Sequence, residues 1–578
     1  MSEGGMLAQC LNQLDRKMTS GVLNFCKHIA GSGDLVAACL SSDVSAVSIR
    51  VGGVADVLAV ISGYVPRLMN FLKPFDGRNV LITAVDAWVF ERDVDKGFLG
   101  EVLAGRMIFP YVSLVNAGYF QPLEVKLKKR LVLELLENLV LDYPELSYEL
   151  RIKPEYFMYE AMITRARVFP LLNYLLLQFS REECKEANVG TVLPGYLLAL
   201  SELEREQKVH FSDGYVRISP EFIMKVRSGK ARFINLLKSG QRALFSSLLG
   251  SFPQVLNALS QNSEFFSRFQ RAENPKFTKR LHSSDQYLFL PIDEALVPLS
   301  DSTGIAEYAR RIFGAESEAD IKIEELGGIL NDVFLVRVAV DHDEKRVVAK
   351  RYRDWSSVKW FPLTLWSVGT RSFVVLGRSR LERECAMNQF LRSKGFKVPK
   401  IFYVSGSERL IFMEYIEGET LSRIVKKAAV AKTLEAANPS LDVIEKAGAL
   451  LAKVHAENVV LGDTKPENLL LSKTNDIIML DFEQASRYGD KAWDVAEFIY
   501  YAGHYAPIFI EIHRAEMMAK AFIRGYINSG GEPKVIRGAG TPKYTKVFSI
   551  FTPPHVMLAY SALCRKTGKE ESDNHAQV

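Results

Sequence analysis

Cysteine is scarce in this chain and never paired. The six cysteines (Cys10, Cys26, Cys39, Cys184, Cys385, Cys564) include no C-x-x-C pair. That spacing excludes a zinc ribbon and a disulfide scaffold, and it fits a reducing cytosol. Long apolar runs are lacking too. Only two charge-free stretches reach membrane length: 243–263 carries five serines and Pro253, and 547–564 carries Pro553, Pro554 and His555. Neither is apolar enough to span a bilayer. The first residues lack the basic start and apolar core of a secretory signal. A soluble cytoplasmic protein with no membrane association is therefore expected. An excess of one charge is also absent: a net +5 over 578 residues does not by itself argue for nucleic acid. There is no internal repeat and no low-complexity tract.

What is present is globular composition, 48% hydrophobic and 24% charged, in a length that suggests several domains. The pattern predicts an α+β multidomain chain. Residues 1–120 read as mixed α/β: a strand over Ser45–Val51, the apolar stretch Val54–Leu72, strand-like Asn79–Phe90, then a helix over "ERDVDKGFLGEVLAGR". Residues 121–190 read as helical. Val125, Leu127, Leu131, Leu135, Leu136 and Leu139 fall at helical spacing after Pro122, and "KLKKR" reads as a solvated face. Two more helices over Tyr156–Phe179 break at Pro170. In 191–228 a helix precedes "VHFSDGYVRI", where Asp213-Gly214 signals a type I′ hairpin. Residues 229–320 read as helices and a polar linker, 321–535 as the chemistry-bearing domain, and 536–578 as an extension with a disordered tail.

The strongest signal is "LGDTKPENLLL" followed by "IIMLDFEQAS". Asn468 stands five residues after Asp463, and Asp481 eighteen after it, with strand-like apolar runs beside both loops. Phosphoryl transfer from ATP needs this set. One carboxylate (Asp463) meets the acceptor hydroxyl. An amide oxygen (Asn468) and a second carboxylate (Asp481) share metal ions on the phosphates. Lys465 can reach the transferring phosphate as a point charge. The hard, oxygen-only ligands suit Mg²⁺ or Mn²⁺ rather than zinc.

Over Ile323–Tyr526 these motifs resemble the protein-kinase-like superfamily. Gly462 before the Asp and "DFE" (Asp481, Phe482, Glu483) match the habit of aminoglycoside phosphotransferases and choline kinases. Gly462 and "GDKAWDVAEF" are also similar to the KEOPS-complex kinase. The resemblance implies that Asp494 is a buried acid bonded to the catalytic loop. It implies that Lys350 holds the α- and β-phosphates, and that Glu384 pairs with it, with Glu382 as competitor. In "ELGGILND", Gly327 and Gly328 would let backbone N–H groups approach phosphates, and Asn331 could contact one. Backbone groups of Glu414, Tyr415 and Ile416 would receive adenine.

The chain departs from the protein-kinase pattern twice. The segment "WSSVKWFPLTLWSVGTRSF" (Trp355–Phe373) is inserted between Lys350 and Glu384, and its aromatics form an apolar surface that packs on the domain or docks a partner. Asp490 stands only eight positions after Phe482, leaving no room for a regulatory activation loop.

Two further resemblances concern the first half. Helix plus hairpin resembles a winged helix, a module that binds DNA or protein; mixed charge in "SELEREQK" favours protein. The first 180 residues resemble archaeal nucleotidyltransferase-like domains through "AVDAWVFERDVDKGFLGE". Gly31-Ser32 is followed by Ser42-Asp43, but Ser45 stands where a second acid belongs, so the metal pair is broken; Asp86 is a candidate third-strand acid.

The expectation is an atypical archaeal-type protein Ser/Thr kinase, using ATP with Mg²⁺ or Mn²⁺ on a protein substrate or itself. The rivals are a small-molecule kinase and a nucleic-acid-associated regulator that uses the kinase domain as an ATPase switch.

Overall fold

The computed structural model describes residues 16–41, 54–65, 67–75, 78–167, 170–228, 284–292, 295–313, 321–326, 331–340, 343–354, 374, 376–431, 433–505, 512–549 and 552–567. The chain divides into two compact units, Met1–Phe289 and Leu290–Val578. The expected strand over Ser45–Val51, Ser42-Asp43, Gly327, Gly328 and the Trp355–Phe373 insertion lie outside the described residues. Among the described residues no helix is long and apolar enough to cross a membrane.

The first unit opens with helix α1 (Arg16–Ala30) and strands β1 (Asp34–Ser41), β2 (Val54–Ser62), β3 (Leu68–Phe75) and β4 (Arg78–Asp86). Helix α2 (Ala87–Lys96), β5 (Tyr111–Val115) and the long helix α3 (Ala117–Asp142) follow. The sheet order is β3-β4-β2-β1-β5, with β2 parallel to β4. Met18, Val22 and Cys26 of α1 pack on Leu40, Val57, Ala59, Val80 and Ile82 of the sheet.

Helix α2 begins and ends earlier in the chain than its sequence suggests, taking in the last four residues of the strand-like stretch Asn79–Phe90. Asp86 caps its start: the carboxylate accepts from the backbone N–H of Trp88 (3.2 Å) and of Tyr64 (3.0 Å). Gly97 stops it in the left-handed region at φ 61°, returning its N–H to the Asp93 carbonyl. Asp86 is thus a capping residue, its carboxylate occupied by backbone donors rather than offered to a metal. "KLKKR" is also corrected, because only part of it is solvated. Lys128 is fully buried, held by Glu124 at 2.5 Å and the Val192 carbonyl at 2.8 Å, whereas Lys126 is 59% exposed. Arg130 reaches Glu101 at 2.5 Å.

Strand β6 (Arg151–Ile152) leads to α4 (Pro154–Ala166), α5 (Pro170–Phe179), α6 (Lys185–Arg205), the hairpin β7 (Val209–Ser212) and β8 (Tyr215–Ile218), and α7 (Pro220–Ser228). The hairpin forms as its turn chemistry requires. Asp213 and Gly214 both adopt positive φ, 52° and 79°, and Ser212 faces Tyr215. Ile152 of β6 pairs with Val216 of β8. The exposed face of α6 carries Pro194, Leu197 and Leu198.

In the second unit, β9 (Leu288–Ile292, beginning in the first unit), β10 (Ala295–Pro298) and α8 (Ile305–Phe313) precede an antiparallel sheet. Its strands β11 (Ile321–Glu325), β12 (Asn331–Val340), β13 (Asp343–Tyr352), β14 (Ile401–Ser405) and β15 (Leu410–Glu414) run in the order β11-β12-β13-β15-β14. Tyr308 of α8 stacks on Phe412 at 3.9 Å among Val336, Val338, Val347 and Ala349. Helix α9 (Gly377–Ser393) follows β13 in the chain. Below, β16 (Gly418–Thr420), α10 (Leu421–Val430), α11 (Leu434–Ala456) and β17 (Val459–Val460) lead into a loop closed by β18 (Leu469–Ser472) and β19 (Ile477–Met479). Strand β20 (Ser486–Arg487) pairs back onto β17, and α12 (Lys491–His504), α13 (Ile512–Asn528), α14 (Pro533–Ala539), α15 (Pro542–Phe548) and α16 (Pro554–Lys566) complete the unit.

Candidate active site

Lys350 lies on β13, whose alternation turns it inward; it is 6% exposed. Its ammonium lies 3.2 Å from Glu384 on α9 and 2.8 Å from Asp481. The helix therefore presents Glu384, not Glu382, to the lysine. Burial alone would lower the Lys350 pKa, but Asp481, Glu384 and Glu483 together raise it, so the ammonium stays charged. Burial pushes the Glu384 carboxyl up to about 7, against the pull of Lys350. Asp481 moves the other way. Burial would raise it, but Lys350, helped by Lys465, holds it below the usual carboxylate range. Asp481 follows β19 with φ 63°, a left-handed conformation that few non-glycine residues adopt. The surrounding bonds hold it there: the Phe482 N–H donates to Glu384 at 3.0 Å and Lys350 donates to Asp481.

Asp463 stands on the loop between β17 and β18. Lys465 donates to its carboxylate at 2.9 Å, and Asn468 Nδ2 donates to its carbonyl at 2.9 Å. That second bond leaves the Asn468 amide oxygen as a hard ligand. The Leu480 N–H donates to the Asn468 carbonyl at 2.8 Å, which brings the residues before Asp481 against the same loop. Asp494, fully buried on α12, accepts from the N–H groups of Leu461 and Gly462 at 2.7 Å each and faces His455 Nε2 at 3.1 Å. Gly462 turns through φ 77°, which its lack of a Cβ permits. Thr464 and Glu497, unmarked by sequence reasoning, brace the loop further: the Glu497 carboxylate accepts from the Thr464 N–H at 2.7 Å.

One expectation needs revision. Asn331 does not turn its side chain toward a phosphate. It is buried, with Nδ2 donating to Glu483 at 2.6 Å and Oδ1 accepting from Arg380 at 2.6 Å. At the segment expected to receive adenine, the Glu414 N–H already donates to the Lys400 carbonyl at 2.8 Å. That bond engages the Glu414 N–H alone and leaves the expectation for the Glu414 carbonyl, Tyr415 and Ile416 as it stands. Glu483, already marked by the "DFE" motif, is bound by Arg380, to which the sequence reading gives no role. The available signal is spacing, since Arg380 precedes Glu384 by four residues, one helical turn on the same face.

The donor set fits a nucleotide-bound divalent cation: one carboxylate and one amide oxygen, hard ligands too few to cage a metal alone. Among the described residues no group of three or more His, Cys, Asp or Glu side chains is arranged to hold a metal ion.

Residues 381–504 match the family described as ABC1 atypical kinase-like domain. The chain is 29% identical over 107 residues to KEOPS complex subunit Bud32 of Pyrococcus abyssi, covering 18% of this chain and 45% of that protein. It is 27% identical over 108 residues to EKC/KEOPS complex subunit bud32 of Dictyostelium discoideum, covering 18% and 42%. It is 27% identical over 160 residues to a probable serine/threonine-protein kinase BUD32 homolog of Archaeoglobus fulgidus, covering 28% and 72%. The chain thus spans less than half the length of the first two relatives. With the geometry above, these similarities identify a protein-kinase-like domain in the second unit.

Proposed function

We propose that the second unit is an ATP-dependent phosphotransferase that moves the γ-phosphate to a hydroxyl group of a protein, another chain or its own. The observation that carries this reading is the convergence of Lys350, Glu384 and Asp481, with Asp463 and Asn468 tied to the adjoining loop. In this reading Asp463 accepts the proton of the acceptor hydroxyl, and Lys465 faces the developing charge. Lys350, oriented by Glu384, holds the α- and β-phosphates, and the backbone of Tyr415 and Ile416 takes adenine. Asn468 and Asp481 would hold Mg²⁺ or Mn²⁺, which neutralises phosphate charge in the transition state. The similarity to the probable serine/threonine-protein kinase of Archaeoglobus fulgidus supports a serine or threonine hydroxyl as acceptor.

A small-molecule acceptor is the second reading. Gly462, in a backbone conformation that favours glycine, and Glu483 after Asp481-Phe482 support it. The test is incubation with labelled ATP and Mg²⁺ or Mn²⁺, following autophosphorylation, transfer to a generic protein, transfer to small hydroxyl acceptors, and hydrolysis. Label on protein supports the first reading. Label only on small acceptors supports the second. Hydrolysis alone makes the unit an ATPase.

A further inference from the structure

A second buried network lies against the catalytic set, and the chemistry above does not use it. Glu483 is almost fully buried. Its carboxylate accepts from Arg380 Nη2 at 2.7 and 2.8 Å and from Asn331 Nδ2 at 2.6 Å, and Lys350 lies 3.4 Å away. Arg380 is fully buried on α9; its Nη1 donates to the Arg353 carbonyl at 3.0 Å, just past β13. The start of β12, the end of β13, helix α9 and the segment after Asp481 therefore meet at one charge pair. Gln484 extends the tie: its side-chain amide makes a reciprocal pair with the backbone of Val374 at 3.0 and 3.1 Å.

We propose that Arg380, Glu483 and Asn331 are positioning residues that keep Glu384 and Asp481 permanently in register with Lys350, replacing a switchable activation segment. Two features argue for permanence. Removing either charge takes from the other its shortest charge contact in a low-dielectric interior, a penalty that keeps such a pair closed. The segment after Asp481 also has little slack, because Ser486 and Arg487 already pair with β17. The proposal rests on the phosphotransferase reading, which gives the register its purpose.

The test uses the full chain with Glu483→Gln, Arg380→Met, the milder Asn331→Ala, and the charge swap Arg380→Glu with Glu483→Arg. Turnover, KM for ATP, and backbone hydrogen exchange over 377–393 are measured. The single variants should lose about 10²-fold in turnover, the scale of a small misplacement, with KM changed less than about threefold. Exchange over 377–393 should quicken about tenfold as α9 loosens. The swap should recover at least about tenfold of the lost turnover. Wild-type turnover and exchange in the singles would overturn the proposal, as would a folded swap no better than the worse single. Should Glu483→Gln or Arg380→Met fail to fold, turnover and exchange in Asn331→Ala decide the question alone. A wild-type chain that neither binds nor uses ATP would sink the phosphotransferase reading, and exchange over 377–393 would still test whether the network holds α9 in place.

Discussion

Asn468 ties itself to Asp463 across the loop between β17 and β18, its amide nitrogen donating to the Asp463 carbonyl at 2.9 Å. One bond thus sets both the backbone that carries the proposed base and the orientation of a proposed metal ligand. Asp463→Asn keeps the fold and removes the proton acceptor. ATP affinity should stay near wild type while turnover falls about 10²–10⁴-fold, the range for a positioned general base. Wild-type turnover in this variant would put the base elsewhere.

Asp481 meets Lys350 at 2.8 Å and should meet the metal when nucleotide is bound. Asp481→Ala should abolish transfer and weaken Mg²⁺–ATP more than metal-free ATP, because the adenine contacts do not involve it. Calorimetric titration of both proteins with and without Mg²⁺ decides the point. Equal loss in the two titrations would mean that Asp481 supports the fold rather than the metal.

Glu384 predicts a pH dependence of two opposite signs. Its pKa is raised from an ordinary 4.5 to about 7. Between those values the folded chain holds a proton that the unfolded chain releases, so the Glu384 contribution to stability falls as pH rises through the window. The Lys350–Glu384 ion pair does the reverse and completes as pH rises toward and past about 7. Turnover should show an acid limb near that pH, and Glu384→Gln should be less active but lack the limb. An unchanged limb in the variant would assign it to another group.

Asp494 is the buried acceptor for three groups, the N–H of Leu461, the N–H of Gly462 and the ring of His455. Asp494→Ala should leave each buried donor unpaired at about 1–3 kcal/mol. The expected outcome is a lower denaturation midpoint and faster proteolysis within the second unit. A midpoint equal to wild type would show that the loop does not depend on this carboxylate.

The exposed face of α6 should not bind duplex DNA. It presents Pro194, Leu197 and Leu198, and no lysine or arginine stands between Lys185 and Arg205. Duplex affinity should be weak, with a shallow dependence on salt. A steep fall of affinity with salt would reveal phosphate contacts and reverse this expectation, because counterion release scales with the phosphates neutralised.

Local chemistry made much of this protein readable in advance. The Asp213-Gly214 turn, the strands around Asp463 and Asp481, the choice of Glu384 and the helix breaks at Pro170 depend on neighbours in the chain or on fixed spacings. The sequence by itself determined the proposed catalytic constellation, because Asp463, Lys465, Asn468 and Asp481 fall within nineteen residues, with strand patterns that bring them to one loop pair. Tertiary structure alone decided what distant residues meet. Asn331 is taken by Glu483, 152 positions on, and by Arg380, 49 positions on. Lys128 is buried because Val192, on a later helix, supplies a carbonyl, and the second oxygen of the Asp86 cap is taken because Tyr64 supplies an N–H. Hydrophobic periodicity specifies which face of an element is buried; it carries no information about which polar group waits on the other side. A buried polar atom must find its partner among all the segments the fold brings near, and only the folded chain makes that choice.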